Sequence, residues 1–85
     1  MANYDLRIKP SAAKELEALQ TKDRRRIVSK IQNLADEPRP QGCEKLTGQD
    51  RFRLRQGKLR ILFEVDDGQQ IVTVVKIAHR RDVDR

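Results

Sequence analysis

Residues 51–83 read RFRLRQGKLRILFEVDDGQQIVTVVKIAHRRDV, and the alternation inside this stretch decides the fold. With period two, Phe52 and Leu54, then Leu59, Ile61, Phe63 and Val65, share one face, while Arg51, Arg53, Arg55 and Arg60 share the other. The pattern predicts a hairpin that turns near Gln56-Gly57 and has an apolar and a cationic side. Setting Leu54 against Leu59 and Phe52 against Ile61 around that turn places Arg53 across from Arg60. Like charges facing each other across a ladder are destabilising, and an anion seated over them relieves the repulsion. The cationic face is therefore a candidate phosphate or nucleic-acid site. A solvated arginine-rich sheet surface is the plain alternative.

Three strands are expected in this stretch, roughly Arg51 to Arg55, Lys58 to Val65 and Gln70 to Ala78. Asp67-Gly68 marks the second turn, with a loop of two or three residues; with three, Lys76 stands beside Arg60. The last strand is apolar at Ile71, Val72, Val74, Val75, Ile77 and Ala78, which predicts a central strand covered on both faces.

Upstream, Tyr4, Leu6 and Ile8 alternate with Asp5, Arg7 and Lys9, as a short half-buried strand requires. Pro10 and Ser11 open a helix in which Ala12, Leu16 and Leu19 recur at helical spacing. Thr21 or Asp23 then caps a second helix, whose stripe is Ile27, Val28, Ile31, Leu34 and Ala35. Its opposite side carries Lys22, Arg24, Arg25, Arg26 and Lys30, a solvated face or a secondary nucleic-acid contact. Asp36-Glu37-Pro38 ends the helix, because a residue before proline is pushed out of the α region. Residues 38–48, with two prolines and two glycines, read as a connecting loop. The expected fold class is α+β: two N-terminal helices packed on one face of a small antiparallel-dominated sheet, in the order β-α-α-β-β-β. The cationic face of the hairpin is then left free.

At 85 residues the chain is expected to form one domain, residues 1–85, with a modest core. Charged residues make up 38% against 36% hydrophobic, and the net charge of +6 favours a polyanionic partner. Cys43 is the one cysteine, so an intramolecular disulfide or a cysteine-based metal site is excluded and a reducing cytoplasm is the simplest home. The N-terminal MANYDLRIKP carries charges where a signal peptide needs an apolar core, so the chain is expected to be neither secreted nor membrane-spanning. With one His and one Cys, and no carboxylates grouped at ligand spacing, no metal or other cofactor is expected.

This organisation, together with RFRLRQGKLRILFEV and KIAHRRDV, resembles the RelE/ParE superfamily of toxins from type II toxin–antitoxin pairs. The resemblance covers nearly the whole chain and implies a RelE-like microbial RNase fold. It also implies one of two activities, or else a catalytically weakened, RNA-binding relative of the first. The RelE branch cleaves messenger RNA in the ribosomal decoding site, whereas the ParE branch poisons DNA gyrase without chemistry of its own. RelE-like cleavage is metal-independent: the ribose 2′-oxygen attacks the adjacent phosphate, leaving a 2′,3′-cyclic phosphate and a free 5′-hydroxyl. It needs a base at the 2′-hydroxyl, cations around the pentacovalent transition state and an acid at the leaving oxygen.

By the resemblance, the family's basic residues on the first hairpin strand match Arg53 and Arg55, the arginine on the second matches Arg60, and one near the C-terminus matches Arg80, or Arg81 if the register shifts by one. Arg53 and Arg60 suit the scissile phosphate, because a guanidinium donates two parallel hydrogen bonds to phosphate oxygens. Arg55 stands where the family has a basic lysine and is a poor base, so His79, with an ordinary pKa of ~6.5, is the natural replacement. A histidine packed at a strand end is its plain alternative. Arg51, Lys58, Lys76 and Arg81, with Arg24 and Arg25 on the second helix, complete the expected RNA contacts. The family tyrosine that follows Asp-Val is here Asp84, which can neither stack on a base nor attract RNA. Either toxin reading implies a cognate RelB-like antitoxin in a heteromeric complex, and the RelE reading adds the ribosome and mRNA as partners.

Overall fold

The computed structural model describes residues 3–46 and 50–79. Over them the chain runs β1 (Asp5–Ile8), α1 (Pro10–Glu17), α2 (Thr21–Asn33), β2 (Glu44–Lys45), β3 (Arg51–Gln56), β4 (Leu59–Asp66) and β5 (Ile71–His79). The strands form one sheet in the order β1-β5-β4-β3-β2, with β1 parallel to β5 and the other neighbours antiparallel. The expected α+β order holds, with one addition. Within the stretch expected to be a connecting loop, Glu44 and Lys45 pair with Arg53 and Phe52.

Proline at the first turn of α1 costs no hydrogen bond, and that helix starts at Pro10 and closes at Glu17. Its buried residue is Ala12. The N-cap of α2 is Gln20, whose side chain makes no capping bond, so neither Thr21 nor Asp23 caps it. Asp23 lies instead in the first helical turn, where a negative charge complements the helix dipole. The apolar stripe of α2 meets the sheet through Ile27 and Leu34, both fully buried.

The helices cover one face of the sheet. Phe52, Leu54, Leu59, Ile61, Phe63, Val65, Val72, Val74 and Ile77 join Ala12, Ile27 and Leu34 in a single core, as the alternation requires. Phe52 and Phe63 are directly opposed on β3 and β4, and their rings stack at 5.7 Å between centroids.

The hairpin register differs from the expected one by two residues. Gln56 pairs with Leu59, so the loop is Gly57-Lys58, and Gly57 takes φ of +59° while Lys58 stays at negative φ. A positive φ at the first central position alone is what a type II′ hairpin turn needs. A shift of two keeps every side chain on its face but changes every partner. Arg53 therefore faces Leu62, and it is Arg55 that faces Arg60.

The β4–β5 loop has four residues, 67–70, rather than two or three; Gln70 adopts φ of +56°, and the Asp66 carboxylate accepts the Gln69 N–H at 3.1 Å. Between Lys76↔Leu62 and Val74↔Phe63 the ladder slips, leaving Val75 as an extra residue on β5. This bulge puts Ile77 in the core where strict alternation from Val74 would have put Lys76. It also carries Lys76 away from Arg60, whose β5 partner is Ala78. Burial on both faces falls on β4, the middle strand, rather than on β5, whose alternate residues Ile71, Thr73 and Val75 are half-buried.

Two polar contacts close the periphery. β1 stops at Ile8↔Val74, and past that point Glu15 of α1 accepts the Ile77 N–H at 3.1 Å and the Lys76 ammonium at 3.3 Å. The helix thereby satisfies the strand edge that β1 leaves open. At the opposite end, Arg39 makes a bidentate pair with Asp67 at 2.8 and 3.1 Å, Tyr4 donates its hydroxyl to Asp67 at 2.6 Å, and the guanidinium lies 5.2 Å from the Phe52 ring centre. This latch ties Tyr4, just before β1, the segment after α2 and the β4–β5 loop together.

The latch makes stability depend on pH. The Arg39 and Tyr4 donors hold the Asp67 carboxyl below the usual carboxylate range, and the same hydrogen bond raises the Tyr4 phenol. A lowered carboxyl contributes stability above its unfolded pKa of ~3.9 and loses it as pH falls through the folded value. A raised phenol contributes below ~10 and loses it as pH rises through the folded value. Asp67→Asn is expected to flatten both limbs of the unfolding midpoint plotted against pH. Limbs as steep as in the wild type would refute the latch.

Candidate nucleic-acid interface

The face without helices can be read as rows running across the strands. Side chains directly opposed on neighbouring strands point to the same side, about 4.5–5.5 Å apart at Cβ. The row nearest the hairpin turn is Arg55, Arg60 and Ala78. Next come Glu44, Arg53, Leu62 and Lys76, and after them Arg51, Glu64, Thr73 and Arg7.

The first row holds two directly opposed guanidinium groups. Arg55 is exposed, whereas Arg60 is only 5% exposed, so this face is not left free at its centre as the alternation alone suggested. In the second row Leu62 is 9% exposed, between Arg53 and Lys76, whose methylene stems can lie over it while their charges stay wet. Arg53 is held by Glu44 at 2.9 Å across β2 and β3. That hydrogen bond and the charge of Arg53, with Arg60 and Arg55 adding to them, keep the Glu44 carboxyl below the usual carboxylate range. Glu44 escaped the sequence reading because β2 is two residues long and lies among prolines and glycines. The single clue was a carboxylate just upstream of the arginine strand.

The structure divides the other expected contacts. Arg51 pairs with Glu64 at 2.9 Å and Lys76 with Glu15 at 3.3 Å, so both cations already have a carboxylate. Lys58 is exposed in the turn. Arg25, with Arg26, Ser29, Lys30 and Asn33, lines an open cavity of about 510 Å³ that reaches Gln56 at the end of β3. Arg24 turns instead toward the Glu17 carbonyl, at 3.4 Å. His79 ends β5 opposite Leu59, on the parity of the core residues rather than that of Arg60, and is exposed. Arg80, Arg81 and Asp84 lie outside the described residues.

Charge on this face is segregated along the strands. From the Arg51 row toward the β4–β5 loop, Asp50, Glu64, Asp66 and Asp67 border an open cavity of about 680 Å³ in which Arg7 supplies the opposite charge. An anion is thus drawn to the hairpin half and repelled from the loop half. Cys43 is half-buried and burial pushes its thiol up, which leaves it protonated and a weak nucleophile. No described helix is long and apolar enough to cross a membrane.

Residues 6–84 match the family model described as the ParE toxin of the type II toxin–antitoxin system parDE. No curated protein sequence matches the chain. Among solved structures, the chain is similar to a toxin–antitoxin complex, RelBE2 of Mycobacterium tuberculosis, at a TM-score of 0.81 and 24% identity, over 93% of this chain and 100% of that one. The archaeal RelE–RelB complex of Pyrococcus horikoshii matches at a TM-score of 0.81 and 25% identity, over 92% and 96% of the two chains. The intact RelBE toxin–antitoxin complex of E. coli matches at 0.77 and 26%, over 89% and 95%. The match of the family model over nearly the whole sequence, on a sheet and helix pair shared with RelE structures, shows that the chain belongs to the RelE/ParE superfamily and is a toxin of a type II toxin–antitoxin system.

Proposed function

We propose that this toxin is a ribosome-dependent endoribonuclease that cuts mRNA in the decoding site by metal-independent attack of a 2′-oxygen. The observation that carries the reading is the opposed Arg55–Arg60 pair beside Arg53 on the helix-free face. Two guanidinium groups opposed on one ladder can donate together to a dianionic phosphorane, or to the phosphate that precedes it. Arg53, Arg55 and Arg60 hold the scissile phosphate, with Arg80 or Arg81 closing on it from the C-terminal segment. Lys58 and Arg25 extend the track to neighbouring phosphates; Arg51, Lys76 and Arg24 join it only by leaving their present partners. In this reading His79, exposed at the end of β5, is the proton donor to the leaving 5′-oxygen.

Solved relatives include complexes of RelE with RelB from Pyrococcus horikoshii and from E. coli. For this chain we assign the same kind of partner, an antitoxin whose acidic or apolar segment covers Arg53, Arg55 and Arg60. By binding only the folded toxin it also stabilises it. The toxin then works in the cytoplasm, where its ribosomes are.

The description of the matching family as ParE toxins favours a second reading, a gyrase inhibitor with no chemistry of its own. One experiment separates them: a defined mRNA is incubated with free toxin, with and without ribosomes stalled at a known codon, beside a gyrase-dependent DNA cleavage assay. Wild-type protein is expected to cut only on the ribosome and to leave a 2′,3′-cyclic phosphate. Arg55→Ala, at an exposed position, is expected to lose most of that cleavage with an unchanged unfolding midpoint. Intact mRNA together with trapped gyrase–DNA complexes would transfer the protein to the second reading.

A further inference from the structure

We propose that the outer edge of β1 is a self-association surface, on which a second copy of this chain pairs its own β1 antiparallel about a two-fold axis at Arg7. Among the described strands β1 ends the sheet and pairs with β5 alone. In a parallel ladder, alternate residues turn both their N–H and their C=O toward the neighbouring strand. Asp5 donates to the Gln70 carbonyl at 2.9 Å and Lys9 to that of Val74 at 3.0 Å. The backbone of Asp5, Arg7 and Lys9 therefore faces β5, and that of Leu6 and Ile8 points outward. Tyr4 is the next residue along the outward edge, and the Ala35 carbonyl already accepts its N–H at 2.9 Å. The open part of the edge is thus an N–H and a C=O from each of Leu6 and Ile8.

Such an edge is a template for another strand, and the residue order suits it to a copy of itself. About Arg7, Leu6 of one copy meets Ile8 of the other, and the two exchange both N–H···O bonds; the two-fold repeats the exchange, so every open group is satisfied. The same register sets Asp5 against Lys9 of the second copy, twice, and Lys9 has the extended backbone this needs, at φ −65° and ψ 147°. Arg7 meets its own copy at the axis, where the carboxylates of the acidic cavity it lines offset the repulsion. A register centred on Leu6 would bring Ile8 of the second copy onto Tyr4, where Ala35 already sits, and one centred on Ile8 would oppose Arg7 to Lys9. Side chains agree with the backbone. Leu6 and Ile8, opposite Val72 and Val74 of the core, point to the helix side and border an apolar groove of about 180 Å³ with Leu16, Val28 and Ile31. Ile8, at 38%, is the exposed large hydrophobic residue among those described. A two-fold normal to the sheet keeps both helix layers on one side, so the two grooves adjoin across the seam and cover each other. The seam lies two strands from Arg60 and three from Arg55, so the arginine row stays open and the pairing stands whether or not the toxin is a nuclease.

One short ladder and one groove make a small interface, so the dimer should form reversibly with concentration. The test combines sedimentation of the free toxin over a concentration series with cysteine crosslinking in a Cys43→Ser background, each variant first checked for native circular dichroism. Opposed residues at a non-hydrogen-bonded antiparallel site have Cα atoms about 4.5 Å apart, within the span of a disulfide. Arg7→Cys is therefore expected to oxidise to a covalent dimer. Asp5→Cys, equally exposed but about 13 Å from its own copy in this register, should stay monomeric alone and crosslink when mixed with Lys9→Cys. Lys9→Glu, which puts like charges opposite Asp5 twice, should weaken dimerisation on the order of tenfold, and adding Asp5→Lys should restore it. Wild-type protein that sediments as a monomer at every concentration overturns the proposal. So does crosslinking of Asp5→Cys as fast as Arg7→Cys, which would show random encounter rather than a register. Leu6 and Ile8 amides that exchange equally fast in dilute and concentrated protein would also overturn it and leave the edge to a segment of a different protein.

Discussion

Phe63→Ala is expected to cost about 3–5 kcal/mol of folding stability, the usual range for deleting a buried phenyl ring. Phe63 is fully buried on the middle strand and stacks on Phe52, which in turn lies under the Arg39 guanidinium. A cavity there opens in the single core that Phe63 shares with Ala12, Ile27 and Leu34, and it loosens the Phe52 ring on which Arg39 rests. Single domains of this size hold on the order of 5–15 kcal/mol, and each kcal/mol lost shifts the midpoint by roughly 4–8 °C. Calorimetry or denaturant titration should therefore find the variant close to unfolded at physiological temperature. A midpoint within a few degrees of the wild type would show that the core does not depend on this ring.

Arg60→Ala is expected to fail twice. Loss of one donor to a transition-state oxyanion typically slows a reaction about 10²–10³-fold, so growth arrest and decoding-site cleavage should both collapse. Because Arg60 is 5% exposed, the variant also loses packing of its methylene stem and the polar contacts of its head group, and its unfolding midpoint should fall. Arg55→Ala is the matched comparison: the same ladder pair, the same charge removed, but an exposed side chain. Equal midpoints for the two variants would contradict the burial of Arg60. Full cleavage by either would contradict its place at the phosphate.

The contrast between Arg55 and Arg60 shows where the sequence stops being informative. Period two assigned both to the correct face, because Phe52, Leu54, Ile61 and Phe63 have one apolar side to satisfy. It could not decide between registers that differ by two, since both keep that side inward. The choice lies with the turn, and Gly57-Lys58 lacks the Asn-Gly or Asp-Gly pattern that announces a two-residue loop. Burial of Arg60 was hidden for a related reason: it follows from the position of β4 in the middle of the sheet, a property of strand order rather than of local pattern. The bulge at Val75 and the two-residue β2 are also invisible to periodicity, the first because one extra residue looks like a run of valines, the second because two residues have no period. The helices were legible from Ala12 in α1 and from Ile27 and Leu34 in and at the end of α2, while the α2 cap was misread because no side chain performs it.

The parallel pairing of Asp5–Ile8 with the first half of β5 carries a consequence for how the toxin comes into being. Among the described strands, Asp5–Ile8 pairs with β5 alone, so it has no partner in the sheet until β5 has been made, and most of the described chain lies between the two. Closing so long a loop is slow, and no earlier point in translation offers a complete core. A nascent chain is therefore unfolded and inert until β5 clears the ribosomal exit. Toxicity therefore arrives in one step, once β5 is free to pair, which sets the latest moment at which an inhibitor must already be waiting.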